Sequence, residues 1–285
     1  MNIHPELDFN PPSKEFVSNF IAPFKQYFEP EFIGIDDIDA SRPAMYVSNH
    51  AVTGVLDGYP FGAELYIRKG IFLRALADRA HFKVPIWRDV LAKNFGALEG
   101  SRANCSGVME RGENLLVFPG GSREVFKKKD EAYVLKWEDR RGFVRMAMQH
   151  GYDIIPVAAV GAEDAFTVVK DATEILDHSF GGWLLKQSGL ARTLFKDGEM
   201  MLPWVKGVGK TAFPKPVKLY FSFGKRISTK RYKAMFEDVE TQELIKSKVE
   251  LSLIKQFKTL FELRETEKDD KNMLRKIVTV INNKG

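Results

Sequence analysis

The sequence predicts an α/β protein. It would have a mostly parallel central sheet flanked by helices, with N- and C-terminal amphipathic helices and a basic-hydrophobic insertion. Three observations carry that reading. Leu115 to Phe118 and Asp153 to Val160 are apolar runs of strand length without polar alternation, the pattern of strands buried on both faces. Between them, Arg140 to His150 places Phe143, Met146 and Ala147 on one helical face and closes at Gly151, giving the order strand–helix–strand. Further on, Ile245, Val249, Leu253, Phe257 and Phe261 recur every fourth residue through Thr241 to Glu265, the spacing of an amphipathic helix.

The remaining elements follow in order. Ser13 to Glu29 reads as a helix with Ser13 as N-cap, Phe16, Phe20, Ile21, Phe24 and Phe28 at helical spacing, and Pro30 as its end. Such a Phe-rich face packs on a core or rests on a bilayer. Phe32 to Ile38 and Ala44 to Val47 read as strands joined by the turn Ser41-Arg42-Pro43. A short helix is expected near Gly58 to Leu65. Another is expected from Ile71 to Ala80, with Ile71, Ala75 and Leu76 inward, and a third from Ile86 that breaks at Phe95-Gly96-Ala97. Ser101 or Asn104 caps a helix to Arg111, and Lys127 to Trp137 reads as a linker. From Phe180 to Pro216, Trp, Leu and Met mix with Lys and Arg without a strand period, as in an insertion lying over the core. Val217 to Phe223 is a late strand and Met273 to Ile281 a last short helix.

With 285 residues, 44% of them apolar and 28% charged, the chain has the composition of a globular protein. The single cysteine, Cys105, excludes an internal disulfide and reads as a small buried residue. No apolar run approaches the ~20 residues of a membrane-spanning helix. Met1 to Lys14 lacks the basic and apolar regions of a signal peptide. The net charge of +5 is uneven: Gly181 to Lys233 holds twelve Lys/Arg against two Asp/Glu. A block of that kind meets polyanions or stays a solvated face. It lacks a nucleic-acid-binding motif.

Two stretches offer chemistry. His50 follows a strand, with Thr53, Gly54 and Asp57 after it. A carboxylate accepting from one imidazole nitrogen leaves the other free to take a proton. Seven residues along a helix separate the two groups by ~10 Å, so a His50–Asp57 bond requires a turn, which Gly54 can supply. The alternative is a structural histidine. In the second stretch, Phe118-Pro119-Gly120-Gly121-Ser122-Arg123-Glu124, two glycines let backbone N–H groups face an anion. Arg123 offers a bidentate fork for phosphate or carboxylate, with Glu124 to hold it. The alternative is a tight turn with a surface ion pair. His4, His81, His150 and His178 show no metal-ligand spacing.

In these residues the chain resembles the glycerolipid acyltransferase superfamily, the lysophospholipid acyltransferase-like proteins. Asn49-His50 looks like its first block, Gly96-Ala-Leu-Glu-Gly-Ser-Arg102 its second, Phe118 to Glu124 its third, and the Pro156 strand its fourth, in that order. The usual first-block acid position holds Val55, with Asp57 two residues later, and Gly120 stands where Glu is usual. Both features, with Glu124, resemble the branch of diacylglycerol acyltransferase 2-like, transmembrane-protein-68-like and phytyl ester synthase-like enzymes, which acylate neutral acceptors.

The resemblance implies an acyltransferase: one domain, 1–285, with an N-terminal helix (1–30), a catalytic core (32–230) and C-terminal helices (241–285). His50, oriented by Asp57, is the implied base. Arg102, Gly120, Gly121, Ser122, Arg123 and Glu124 are the implied substrate-binding residues. The reaction takes no metal or cofactor; acyl-CoA or acyl carrier protein is the co-substrate and a lipid hydroxyl the acceptor. The expected location is cytoplasmic, peripheral to the inner face of a membrane, through residues 181–233 and 13–29. A hydrolase using the same His50, and an inactive lipid-binding protein of this fold, are the competing readings. The hydrolase lacks a Gly-x-Ser-x-Gly elbow.

Overall fold

The computed structural model describes residues 7–82, 85–171, 203–267 and 275–279, together with 174, 176, 177, 183, 184 and 187. In chain order come α1 (Lys14–Phe28), β1 (Glu31–Ile33), β2 (Ala44–Ser48), α2 (Gly58–Lys69), β3 (Leu73–Ala77), α3 (Arg79–Phe82) and α4 (Pro85–Phe95). Then follow β4 (Leu98–Glu99), α5 (Arg102–Glu110), β5 (Asn114–Val117), α6 (Ser122–Val125), α7 (Gly142–His150) and β6 (Asp153–Val160). The last are β7 (Thr167–Lys170), β8 (Trp204–Lys206), β9 (Tyr220–Phe223) and α8 (Val239–Thr266).

Among the described residues, seven strands form one sheet in the order β1-β9-β6-β2-β5-β3-β4, and β7 and β8 form a separate antiparallel ribbon. Every neighbouring pair in the large sheet is parallel except β6–β9, so the mostly parallel sheet holds. Side chains alternate between two cores, as the two-residue strand period requires. Met45, Val47, Leu115, Ile154 and Ala158 face the core shared with α5, α7 and α8. Tyr46, Leu116, Ile155, Val157 and Ala159 face the core shared with α2. In α8, Ile245, Val249, Leu253 and Phe257 are buried, the expected stripe.

Four expectations change. Ile71 to Ala80 is not a helix: β3 pairs in parallel with β5 and β4, and sheet burial overrides the helix-forming Leu, Arg and Ala. Arg74 lies buried there, donating to the Gly96 carbonyl at 2.7 Å and to Glu113 at 2.7 Å. The strand expected from Phe32 stops at Ile33, because Gly34 turns the chain out of the extended region at φ 74°. On α1, Ser13 caps the first turn as expected, but the helix packs through Val17 and Ile21 against Ala63 and the tyrosines of α2, and through Phe28 into the core on the α2 face of the sheet. Phe16 and Phe20 stay 60% and 55% exposed. Finally, Lys127 to Trp137 is no linker, since it ends in the fully buried Trp137 and begins with a buried lysine.

Most of the expected insertion lies outside the described residues. Its described part includes β8 and the turn to Phe213, where Trp204 and Phe213 are exposed. Tyr27 of α1 meets this turn, donating to the Pro214 carbonyl at 2.8 Å. Residues 275–279 are helical, and the rest of the last expected helix lies outside the described residues. Among the described residues no helix is long and apolar enough to cross a membrane.

Candidate active site

β2 leads through α2 to β3, beyond β5. β5 leads through α6 and α7 to β6, on the other side of β2. The two crossovers therefore leave in opposite directions, and α2 and α7 pack on opposite faces. In open α/β sheets ligands bind at the carboxyl ends of such a strand pair. His50 stands two residues after β2 and Phe118 directly after β5, and their rings stack at 4.0 Å.

The turn that joins His50 to Asp57 is built by Thr53 and Gly54, both at positive φ (69° and 66°), with the Gly54 N–H on the Ala51 carbonyl at 3.0 Å. It brings His50 Nδ1 to Asp57 Oδ2 at 2.6 Å. Asp57 also accepts the Ala51 N–H at 2.8 Å and caps α2 through the Gly58 N–H at 2.7 Å. Burial pushes the Asp57 carboxyl up. The His50 charge and hydrogen bond and the two N–H bonds outweigh burial and hold it below its usual range. Burial pulls His50 down, but the charge and hydrogen bond of Asp57 and the charge of Glu124 outweigh it and Lys127, and the imidazole sits above its ordinary value. An ionised Asp57 puts the proton on Nδ1 and leaves Nε2 as the acceptor. Gly54 keeps that nitrogen open: a Cβ there would lie 2.8 Å from His50 Cε1 and 3.1 Å from Nε2.

After β5, Gly121 turns the chain at φ 51°, its N–H on the Phe118 carbonyl at 3.0 Å. Arg140 donates to the carbonyls of Pro119 and Gly120. Ser122 opens α6, half-buried. Glu124 is fully buried and does not hold Arg123. Its carboxylate accepts the N–H of His50 at 2.7 Å and of Lys136 at 3.0 Å, and Arg123 pairs with Glu138 instead. Burial pushes the Glu124 carboxyl up, against Lys127 and the two N–H donors. A Cβ on Gly120 would lie 2.2 Å from Glu124 Cδ. A carboxylate thus fills the space beside position 120, delivered from residue 124. Arg102 is not brought to this cluster. It is exposed at the start of α5, fed by β4, three strands from β2, which is about 14 Å at ~4.8 Å per strand. Its charge acts on Glu237.

Two site residues escape the sequence reading. Lys127 Nζ donates to Glu163 Oε1 at 2.6 Å and to the His50 carbonyl at 3.0 Å, and Glu163 Oε2 accepts the Val52 N–H at 3.1 Å. Both are buried. Nothing in the run Lys127-Lys128-Lys129 marks its first member, although the other two are exposed. A cleft of 410 Å³ opens beside Val52, walled by Phe166 and Val168 and edged by Lys128, Lys129 and Lys215. Cys105 is buried, its thiol pushed by burial up to about 12, so it supplies no thiolate at neutral pH.

A diacylglycerol acyltransferase family profile matches residues 46–270. The human "DGAT1/2-independent enzyme synthesizing storage lipids" is 34% identical over 136 residues, 48% of this chain and 41% of that protein. Phytyl ester synthase 2, chloroplastic, from Arabidopsis thaliana is 29% identical over 228 residues, 76% of this chain and 32% of that protein. The chain thus spans less than half the length of either relative. Among solved structures, the 1-acyl-sn-glycerophosphate acyltransferase PlsC from Thermotoga maritima gives a TM-score of 0.44 at 16% identity, covering 83% of this chain and 78% of that one.

Proposed function

The chain belongs to the diacylglycerol acyltransferase family, and on that premise we propose that it is an O-acyltransferase. It moves a fatty acyl group from the thioester of acyl-CoA or acyl carrier protein to the hydroxyl of a lipid or long-chain alcohol, with His50 as general base. The observation that carries this reading is the His50–Asp57 hydrogen bond at the crevice between β2 and β5, with Nε2 left open by Gly54. Nε2 takes the hydroxyl proton and the alkoxide attacks the thioester carbonyl. The tetrahedral oxyanion, stabilised by backbone N–H groups of the turn around Gly120 and Ser122 rather than that of Gly121, which the Phe118 carbonyl takes, collapses and expels the thiolate, which takes the proton back from His50.

The charges around His50 support a neutral acceptor. Three buried carboxylates, Asp57, Glu124 and Glu163, stand against one buried ammonium, Lys127. The one buried ammonium is already held by Glu163 and the His50 carbonyl, so it offers little to a phosphate beside the attacked hydroxyl. Arg123 and Arg140 are engaged by Glu138 and by backbone carbonyls. On the donor side, the cleft beside Val52 combines apolar walls with a lysine edge, which suits an acyl thioester carrying phosphates. For access to lipid, exposed Phe16 and Phe20 of α1 and Trp204 and Phe213, with Lys206 and Lys210, suit docking on an anionic bilayer. Flotation with vesicles should then require anionic lipid and weaken with salt; equal binding to neutral vesicles in high salt removes the electrostatic part.

The test uses labelled palmitoyl-CoA and palmitoyl carrier protein with diacylglycerol, hexadecanol and lysophosphatidic acid as acceptors, beside H50A. Transfer to the neutral acceptors is expected, reduced on the order of 10²- to 10⁴-fold in H50A. Hydrolysis without transfer makes the protein a hydrolase, and undiminished transfer in H50A removes His50 as the base.

A further inference from the structure

The structure assigns the buried Lys127–Glu163 ion pair a positioning role: it clamps the turn that carries His50, so that the imidazole keeps its seat on Asp57 and Phe118. The assignment rests on the reading of His50 as the base, but its test addresses His50 directly.

Three consecutive peptide N–H groups in this turn are each taken by a different buried carboxylate. His50 N–H goes to Glu124 at 2.7 Å, Ala51 N–H to Asp57 at 2.8 Å and Val52 N–H to Glu163 at 3.1 Å. The carbonyl of His50, inside the same run, accepts from Lys127 at 3.0 Å. Lys127 and Glu163 then close on each other at 2.6 Å. The pair thus grips the turn at residues 50 and 52. Lys127 comes from the segment after β5 and α6, and Glu163 from the short helical turn Ala162–Ala165 after β6. The carboxyl ends of β2, β5 and β6 are joined through it at the base.

Stability alone gives a poor account of the pair. Removing two charges from water costs as much as a buried pair returns, and hydrophobic replacements of similar volume are often neutral. What an apolar pair cannot do is hold a carbonyl and an N–H at fixed points. His50 has no freedom to compensate: its ring is gripped by Asp57 on one edge and stacked on Phe118 across its face. A peptide that rotates by a small angle at residue 50 swings Nε2 away from the crevice. The charged groups facing His50 are Asp57 and Glu124, which favour its protonated form, and Lys127, which opposes it.

The experiment is NMR on isotope-labelled full chain, following the His50 Nδ1–H resonance and the His50 titration, both assigned by their loss in H50A. Thermal unfolding is recorded in parallel. The double variant K127M/E163M removes both charges at similar volume and is expected to fold with a lowered melting temperature, because the Val52 N–H and the His50 carbonyl lose their partners. Its downfield Nδ1–H signal should vanish or broaden and the titration midpoint should move. With any acceptor that wild type acylates from palmitoyl-CoA, kcat should fall about ten- to a hundredfold while the donor KM stays within about twofold. E163Q, which keeps shape but loses the carboxylate, should change the same signals in the same direction. A folded double variant or E163Q that keeps the wild-type His50 signal and midpoint overturns the proposal. If wild type transfers no acyl group, the functional reading fails, and the NMR arm still decides the clamp.

Discussion

The turn after β2 and the turn after β4 leave the same edge of one sheet, one carrying His50 and the other Arg102. After β4 the chain satisfies itself locally. Gly100 N–H reaches the Ala77 carbonyl and Ser101 N–H the Glu99 carbonyl, both at 2.8 Å, and the Ser101 hydroxyl caps α5 through the Asn104 N–H at 3.1 Å. Arg102 is left exposed. After β2, three N–H groups reach carboxylates from three other places in the chain. The strands explain the contrast. β4 is a two-residue strand at the edge, with a helix ready to follow, whereas β2 has neighbours on both sides and opens at the switch crevice. Buried charge is costly. Its concentration at one turn, and its absence at the other, marks where geometry matters more than economy of folding.

The contrast is broken most severely at Asp57. D57N keeps the side-chain size but removes the charge that orients His50 and puts an NH2 where one Asp57 oxygen accepts an N–H, and kcat should fall by on the order of 10²-fold or more with little change in KM. The pH profile gives an independent sign. The wild-type His50 pKa lies above the ordinary ~6.5, and only the deprotonated form accepts a proton, so the acidic limb of kcat/KM should lie above that value. D57N removes the charge and hydrogen bond that raise it, so the limb should move to lower pH. A limb that does not move, with a rate near wild type, removes Asp57 from its role.

Next is Gly120, whose added Cβ would overlap the middle of the Glu124 side chain. Glu124 cannot swing out cheaply, because it is buried and holds the N–H groups of His50 and Lys136. G120A should therefore cost about 1–3 kcal/mol in urea unfolding and about 10²-fold in kcat. Wild-type values of both would mean that Glu124 does not organise the turn.

How much of this contrast was legible beforehand follows from the range of each interaction. The alternating cores, α7 and α8 could be read because their spacing is local. The elements of the dyad could be read because seven residues and a glycine suffice to propose a turn. β3 reads as a helix because Leu73-Arg74-Ala75-Leu76-Ala77 is made of helix formers, and only its neighbours β4 and β5 make it a strand. Lys127 and Glu163 could not be read at all: they lie 77 and 111–113 residues from the peptide groups they hold or neighbour, and each looks like a surface charge in sequence. Arg123 and Glu124 read as partners because they are adjacent, but adjacent residues of α6 point different ways, one to Glu138 and one inward.

Gly54 sharpens the comparison more gently. A methyl group there meets His50 and also Val125 at 3.1 Å, and position 54 sits at φ 66°. G54A should lower kcat about tenfold by crowding Nε2, with a further cost of about 1 kcal/mol in stability for the positive φ. A loss of stability alone, with kcat retained in the folded enzyme, would mean that the acceptor reaches His50 from another side.

The smallest effect is expected at Arg102, which the resemblance placed among the substrate-binding residues. Its strand is about 14 Å from β2 along the sheet, farther than an arginine side chain extends, and its charge is felt by Glu237, which also pairs with Arg145. R102A should leave kcat and the acceptor KM within about twofold of wild type, the range of an exposed charge far from the reacting atoms. The informative measurement is KM for the donor at low and high salt. If R102A raises the palmitoyl-CoA KM at low salt and the difference closes at high salt, Arg102 attracts the donor phosphates from a distance. A kcat loss comparable to that of D57N would instead mean that substrate binding draws the β4 turn toward the β2 turn, and the separation between the two turns would belong to the unliganded protein alone.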